Sequence, residues 1–138
     1  MSEVLKIDHV GIAVRDLSAG IAAFRSLGLT GGEIEELPER KLRLAWFQVG
    51  ESRIELLETT DAGSPVGRFL EARGEGVHHL ALRVADAAAG LQAAADRGLV
   101  PVDREPRAGA RGSRVGFLHP RSLHGVMVEL VERAGDDH

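Results

Sequence analysis

The chain contains no cysteine, which excludes a disulfide framework, a thiolate nucleophile and a thiolate metal site. Aromatics are almost as scarce, with four phenylalanines, one tryptophan and no tyrosine in 138 residues, so there is little to stack on nucleic-acid bases. Seventeen Lys and Arg against 21 Asp and Glu leave a net charge of −4, the wrong sign for a polyanion partner. No apolar run reaches the ~18 residues of a membrane helix. These absences argue against nucleic acid and against a membrane as partners. The segment Met1 to Asp8 has neither the basic nor the apolar region of a secretory signal, and a cytoplasmic location is expected. What is present, 43% hydrophobic and 28% charged residues, suits one globular domain.

The strongest internal signal is a duplication. Ile7-Asp8-His9-Val10-Gly11-Ile12-Ala13-Val14-Arg15-Asp16 lines up with Val77-His78-His79-Leu80-Ala81-Leu82-Arg83-Val84-Ala85-Asp86, an offset of 70 that sets His9 against His79 and Asp16 against Asp86. Ile54-Glu55-Leu56-Leu57-Glu58 matches Val128-Glu129-Leu130-Val131-Glu132 at an offset of 74. The four extra residues belong in the Gly/Arg-rich stretch Arg107 to Arg114, which lacks apolar periodicity.

Each half reads as strand, helix, then strands. Residues 5–14 and 77–84 are rich in Val, Ile and Leu, and each run ends at an aspartate, Asp16 or Asp86, placed to cap a helix. Ile21, Phe24 and Leu27 recur at helical spacing, Ala87 to Ala95 favours helix, and Gly28 and Gly98 suit the helix ends. Strands at 42–49 and 52–59 flank a tight turn at Gly50-Glu51, while 113–118 and 125–132 are joined by the loop 119–124. Ser64-Pro65 opens a linker helix through about Arg73. A single domain is expected, with module one at about 5–60, the linker helix at about 64–73, module two at about 77–132 and a frayed tail at 134–138.

Strand alternation sorts the repeated residues by face. Val10, Ile12 and Val14 share a face suited to packing under a helix, as do Leu80, Leu82 and Val84, whereas His9 and His79 fall on the opposite faces beside small residues. Glu55 and Glu129 alternate with apolar neighbours in the same way. Any one of these four is most simply a satisfied core histidine or a solvated glutamate. Two His and two Glu in register across a duplication instead describe a site for a borderline divalent ion, with bonds of ~2.0–2.2 Å and positions left open. His78 points away from His79 and reads as a packing residue, and Trp46 as core or cleft wall. Arg107, Arg111, Arg114 and Arg121 gather around the late loops, where guanidinium groups suit phosphate, and His119 and His124 lie on the 119–124 loop. There is no Ser-His-Asp arrangement, and Gly109-Ala110-Arg111-Gly112 lacks the lysine of a phosphate loop.

These residues resemble the vicinal-oxygen-chelate superfamily, and within it the methylmalonyl-CoA epimerase family, over nearly the whole chain from Ile7 to Arg133. The particular segments are Ile7 to Val14, Val49-Gly50 with Ile54 to Glu58, Asp61 through Pro65, Arg73-Gly74-Glu75-Gly76-Val77-His78-His79-Leu80-Ala81, Phe117-Leu118-His119-Pro120-Arg121-Ser122 and Gly125 to Leu130. The resemblance implies an α+β fold in which two tandem βαβββ modules form one domain, with a curved mixed sheet around a metal-lined cleft. It matches His9, His79 and Glu129 to metal ligands and Glu55 to a fourth position that is Gln in some relatives and Glu in others. It implies a divalent cofactor (cobalt, manganese, nickel or zinc), an acyl-CoA substrate contacted by Arg111, Arg114, His119 and Arg121, and a homodimer. The implied reaction interconverts the (R) and (S) forms of methylmalonyl-CoA through α-proton abstraction, with Glu129 and Glu55 as the catalytic bases. Leu44 stands where some of these epimerases carry a glutamate base, which makes Glu55 the leading second base. A glyoxalase-type isomerase (lactoylglutathione lyase) would use the same four donors, whereas a metal-free drug-binding protein would need none of them. A ring-cleaving dioxygenase, with two His and one carboxylate, would leave Glu55 surplus.

Overall fold

The computed structural model describes residues 3–134. The first half contains β1 (Val4–Ala13), α1 (Leu17–Arg25), β2 (Gly31–Leu37), β3 (Leu42–Val49) and β4 (Ser52–Thr59). After α2 (Pro65–Arg73), the second half contains β5 (Gly76–Val84), α3 (Ala87–Asp96), β6 (Arg107–Ala108), β7 (Arg114–Leu118) and β8 (Val128–Glu132). The class is α+β, and the βαβββ pattern occurs twice. Residues 135–138, most of the expected frayed tail, lie outside the described residues.

The described residues divide into two compact units, one of residues 9–78 and the other of residues 3–8 with 79–134. The divisions fall inside β1 and β5, immediately before His9 and His79. In the first unit the strands run β2-β3-β4-β1, with β1 and β4 parallel and the remaining pairs antiparallel. In the second they run β5-β8-β7-β6, with β5 and β8 parallel.

One face of each sheet is packed by its helix. In the first unit Val14, Ala45, Phe47 and Leu56 meet Leu17 and Ile21 of α1. In the second, Val84, Leu118, Val128 and Leu130 meet Ala87, Leu91 and Ala94 of α3. Each of the larger side chains, Val, Leu, Ile or Phe, stabilises the fold by roughly 1.5–3 kcal/mol when fully buried, and a one-residue slip would turn the whole set outward. Gly20 and Gly90 let each helix lie close, since an added Cβ would meet Leu56 Cδ1 at 3.2 Å or Leu130 Cδ1 at 3.0 Å.

Asp16 and Asp86 cap their helices as the sequence predicts, accepting the N–H of Ala19 and Ala89. The helices end slightly before the expected glycines, at caps Ser26 and Arg97, and Gly28 and Gly98 follow with φ of +93° and +94°. Ser64 caps α2 by accepting the N–H of Gly67. The strand expected from residue 125 begins only at Val128, because His124 and Gly125 both take positive φ and prolong the turn. Strand β2 has no counterpart in the sequence reading. It carries three glutamates in seven residues, a pattern that hides strand character while protecting an exposed sheet edge.

Candidate metal centre

In the first unit His9 sits on β1 and Glu55 on β4, where register places Gly11 beside Glu55 and Arg53 beside His9. Strand parity puts both side chains on the face opposite α1. His9 Nε2 lies 3.4 Å from Glu55 Oε1, and the two side chains are 4% and 6% exposed. The absence of a side chain at Gly11 leaves room beside the carboxylate, while Trp46 of β3 flanks it on the other strand.

The second unit repeats this arrangement. Ala81 of β5 and Phe117 of β7 flank Glu129 of β8, and His79 Nε2 lies 3.2 Å from Glu129 Oε1 with both side chains 5% exposed. Phe117 meets the His79 imidazole edge-on, with centroids 5.3 Å apart, which holds the ring in place. Trp46 and Phe117 thus occupy matching flanks of matching carboxylates.

The His–Glu pair within each unit has a spacing that fits a divalent cation. Two ligand atoms bound to one ion at about 2.1 Å lie about 3.0 Å apart at a right angle and about 3.4 Å apart at the tetrahedral angle. The His–Glu separations of 3.4 and 3.2 Å fall within or at the edge of that range. Imidazole suits zinc and nickel, and carboxylate suits manganese.

The remaining candidates are placed more variously. Arg111 lies in the short 3-10 turn Ala110–Gly112 with φ of +57°. Arg121 is exposed, and its backbone N–H donates to His119 Nδ1 at 2.9 Å, leaving Nε2 as the protonated nitrogen when this imidazole is neutral. Arg114 pairs across strands with Glu132, so it shares the face that packs on α3 and not the face of Glu129. Arg107 is bound to Asp103 at 3.1 Å. His78 packs edge-on against Phe69 at 5.0 Å. Leu44 is 2% exposed and lies between Glu35 and Leu57 in the sheet register.

Two features escaped the sequence reading. Asp8 is buried in the second unit, where it accepts Arg83 Nε at 2.6 Å, Arg133 Nε at 3.1 Å and Arg133 Nη2 at 3.0 Å. Arg133 Nη1 also donates to the carbonyl of Ala110 at 3.3 Å. In the first unit Arg53 is 2% exposed, with Nε donating to Gln48 Oε1 at 3.1 Å and its guanidinium 5.3 Å from the centre of the Trp46 ring. The available signal was a break in the duplication. Arg83 and Arg53 are charged residues in apolar strands whose counterparts at the repeat offsets are Ala13 and Met127.

Residues 8–117 match the glyoxalase/bleomycin resistance protein/dioxygenase superfamily. The chain belongs to that superfamily. An ethylmalonyl-CoA/methylmalonyl-CoA epimerase of Cereibacter sphaeroides is 36% identical over 128 residues, covering 91% of this chain and 96% of its own. A methylmalonyl-CoA epimerase solved in complex with methylmalonyl-CoA and ammonium superposes with a TM-score of 0.91 at 40% identity, covering 96% of each chain. A variant of the Streptomyces coelicolor methylmalonyl-CoA epimerase in complex with 2-nitronate-propionyl-CoA gives 0.92 at 39% identity, over 98% of this chain and 99% of that one. Within the superfamily the chain is an enzyme of the methylmalonyl-CoA epimerase family.

Proposed function

We propose that the enzyme interconverts the (R) and (S) forms of methylmalonyl-CoA, with a divalent ion held by His9, Glu55, His79 and Glu129. The observation that carries this reading is the repeated buried His–Glu pair, at 3.4 Å in one unit and 3.2 Å in the other. His9, His79 and Glu129 are all buried and each offers one donor atom, and relatives of 36–40% identity are named for this reaction. The two modules act as one domain in this proposal, and the protein is a cytoplasmic homodimer, an assembly that sedimentation at micromolar concentration tests directly.

Epimerisation at a carbon between a thioester and a carboxylate removes the α-proton from one face and returns one to the other. When bound, the ion supplies Lewis-acid stabilisation of the negative charge that develops on the thioester oxygen. Glu129 accepts the α-proton on its carboxylate from one face, and Glu55, its repeat counterpart, carries the proton returned to the other, so that one turnover leaves Glu129 protonated and Glu55 ionised. Leu44 has no proton to give, so Glu55 takes the second role. Burial of both carboxylates keeps bulk water from competing for the proton. Arg111 and Arg121 meet the CoA phosphates together with His119, whereas Arg114, on the α3 face beside Glu132, takes no part.

The decisive experiment incubates the metal-loaded protein with methylmalonyl-CoA in deuterated water and follows the α-proton by NMR and the two epimers by a stereospecific coupled assay. Deuterium entry with epimerisation is the expected result. Absence of exchange, with turnover of a glutathione hemithioacetal in its place, would assign the four donors to glyoxalase-type chemistry.

A further inference from the structure

Phe117 touches both donors of the second unit. It stands opposite Glu129 across the β7–β8 pairing, so the two side chains share a face of the sheet, and its ring meets the His79 imidazole edge-on with centroids 5.3 Å apart. Where that ring projects is set by the backbone at residue 117, because φ and ψ fix the Cα–Cβ direction and limit the rotamer. The backbone of β7 is held unevenly on its two sides. Toward β8 the ladder runs unbroken from Arg114 to Leu118, but on the other side β6 reaches only to the pair Arg107–Val115.

Beyond β6 the segment 100–103 takes over. It meets the end of β7 at the isolated bridge between Pro101 and Leu118, and the N–H of Val102 donates to the carbonyl of Phe117 at 2.8 Å. The N–H of Phe117 donates to a side chain, Asp103 Oδ2, at 2.8 Å. The other oxygen of that carboxylate accepts Arg107 Nε at 3.1 Å, and the Asp103 side chain is 12% exposed, so the acceptor is itself held in place. The first unit supports its matching aromatic differently. Glu33, 70 positions before Asp103, lies opposite Trp46 in a β2–β3 ladder that continues to Leu37. A carboxylate thus stands in the second unit where the first has a continuing strand.

We infer that Asp103 is a positioning residue for the His79 donor, fixing the Phe117 backbone so that the ring packs the imidazole with Nε2 directed at Glu129 Oε1, 3.2 Å away. Groups that orient a ligating imidazole tune metal affinity without touching the ion. Removing the Asp103 carboxylate takes the acceptor from the N–H of a buried residue, a donor that is costly to leave unmet, and a shift of the strand toward water would carry the ring off the imidazole. The role of His79 as a donor rests on the metal reading proposed above, whereas the placement of its ring does not.

The test compares the wild type with D103A, D103N, F117L and the double variant D103A/F117L. Two quantities are read, the imidazole C–H signals of His79 by NMR in the metal-free protein, and the affinity for cobalt by titration. D103A should move the His79 signals, which feel the Phe117 ring, and weaken cobalt binding about ten-fold. D103N, whose amide oxygen still accepts the N–H, should keep most of both. F117L should lose cobalt affinity to a similar degree, and adding D103A to F117L should cost little more, since residues that act through one contact are not additive. Unchanged His79 signals and cobalt affinity in D103A, an F117L protein that binds cobalt like the wild type, or losses that simply add in the double variant would overturn the inference. A wild type that takes up no cobalt overturns the metal reading instead, and the His79 signals of D103A and D103N then decide the placement of the ring by themselves.

Discussion

Glu58 and Glu132 occupy equivalent positions and make equivalent bonds. Glu58 accepts the first helical N–H of α1, from Leu17 at 2.8 Å, and Glu132 accepts that of α3, from Ala87 at 2.9 Å. Each also faces an arginine of the neighbouring strand, Arg43 at 2.9 Å and Arg114 at 3.9 Å. The last strand of each module thereby ties down the start of its helix, and the negative charge suits the helix N-terminus. Glu132→Ala should destabilise the protein by about 1–2 kcal/mol, a fall in Tm of roughly 3–8 °C for a chain of this size. Calorimetry checks it, and an unchanged Tm would show that the bond contributes nothing net.

Asp8 pairs with two buried arginines, so its loss should cost more than that of any cap. Asp8→Asn keeps the shape and removes the charge, and breaking a buried ion pair on one side costs about 3–5 kcal/mol. The triple replacement Asp8→Leu, Arg83→Met, Arg133→Met removes these three charges together and should recover part of that loss. Urea denaturation of the three proteins measures both values. A Asp8→Asn protein within about 1 kcal/mol of the wild type would contradict the buried network.

Metal content gives the third prediction. The wild type should bind about one divalent ion per chain, and His79→Ala should lose it, as measured by plasma emission after mild purification and by titration with cobalt. A wild type that cannot be loaded with cobalt, manganese, nickel or zinc would favour a metal-free binding protein.

At the rim, exposed arginines make salt-sensitive contacts. Replacing Arg111, Arg114 and Arg121 together by Ala should weaken methylmalonyl-CoA binding and flatten its dependence on salt. Because Arg114 lies on the α3 face beside Glu132, Arg114→Ala alone should lower Tm more than it lowers affinity. An unchanged affinity in the triple variant would remove Arg111 and Arg121 from the CoA site.

The two glutamates should differ toward the two epimers. With the ion still bound, Glu129→Gln should abolish epimerisation while leaving slow deuterium exchange into one epimer, and Glu55→Gln should show the complementary preference. Full epimerase activity in Glu55→Gln would reduce Glu55 to a ligand.

What the sequence determined by itself was the duplication and everything local to it. Period-two alternation separated His9 and His79 from their apolar neighbours, and aspartates ahead of helix-forming stretches marked both helix starts. Such features depend only on backbone geometry within a few residues. Strand β2 was not legible because pairing with β3, not its own composition, makes Gly31–Leu37 a strand. The tertiary structure alone decided which charges are buried. Asp8, Arg83 and Arg133 are up to 125 positions apart in the chain, and no local pattern announces that their strands bring them within hydrogen-bonding distance. The same holds for Arg114, which composition grouped with the rim arginines. Its cross-strand pairing with Glu132 sets it on the helix face, because register, which is settled only when strands meet, decides the side of the sheet on which each side chain stands.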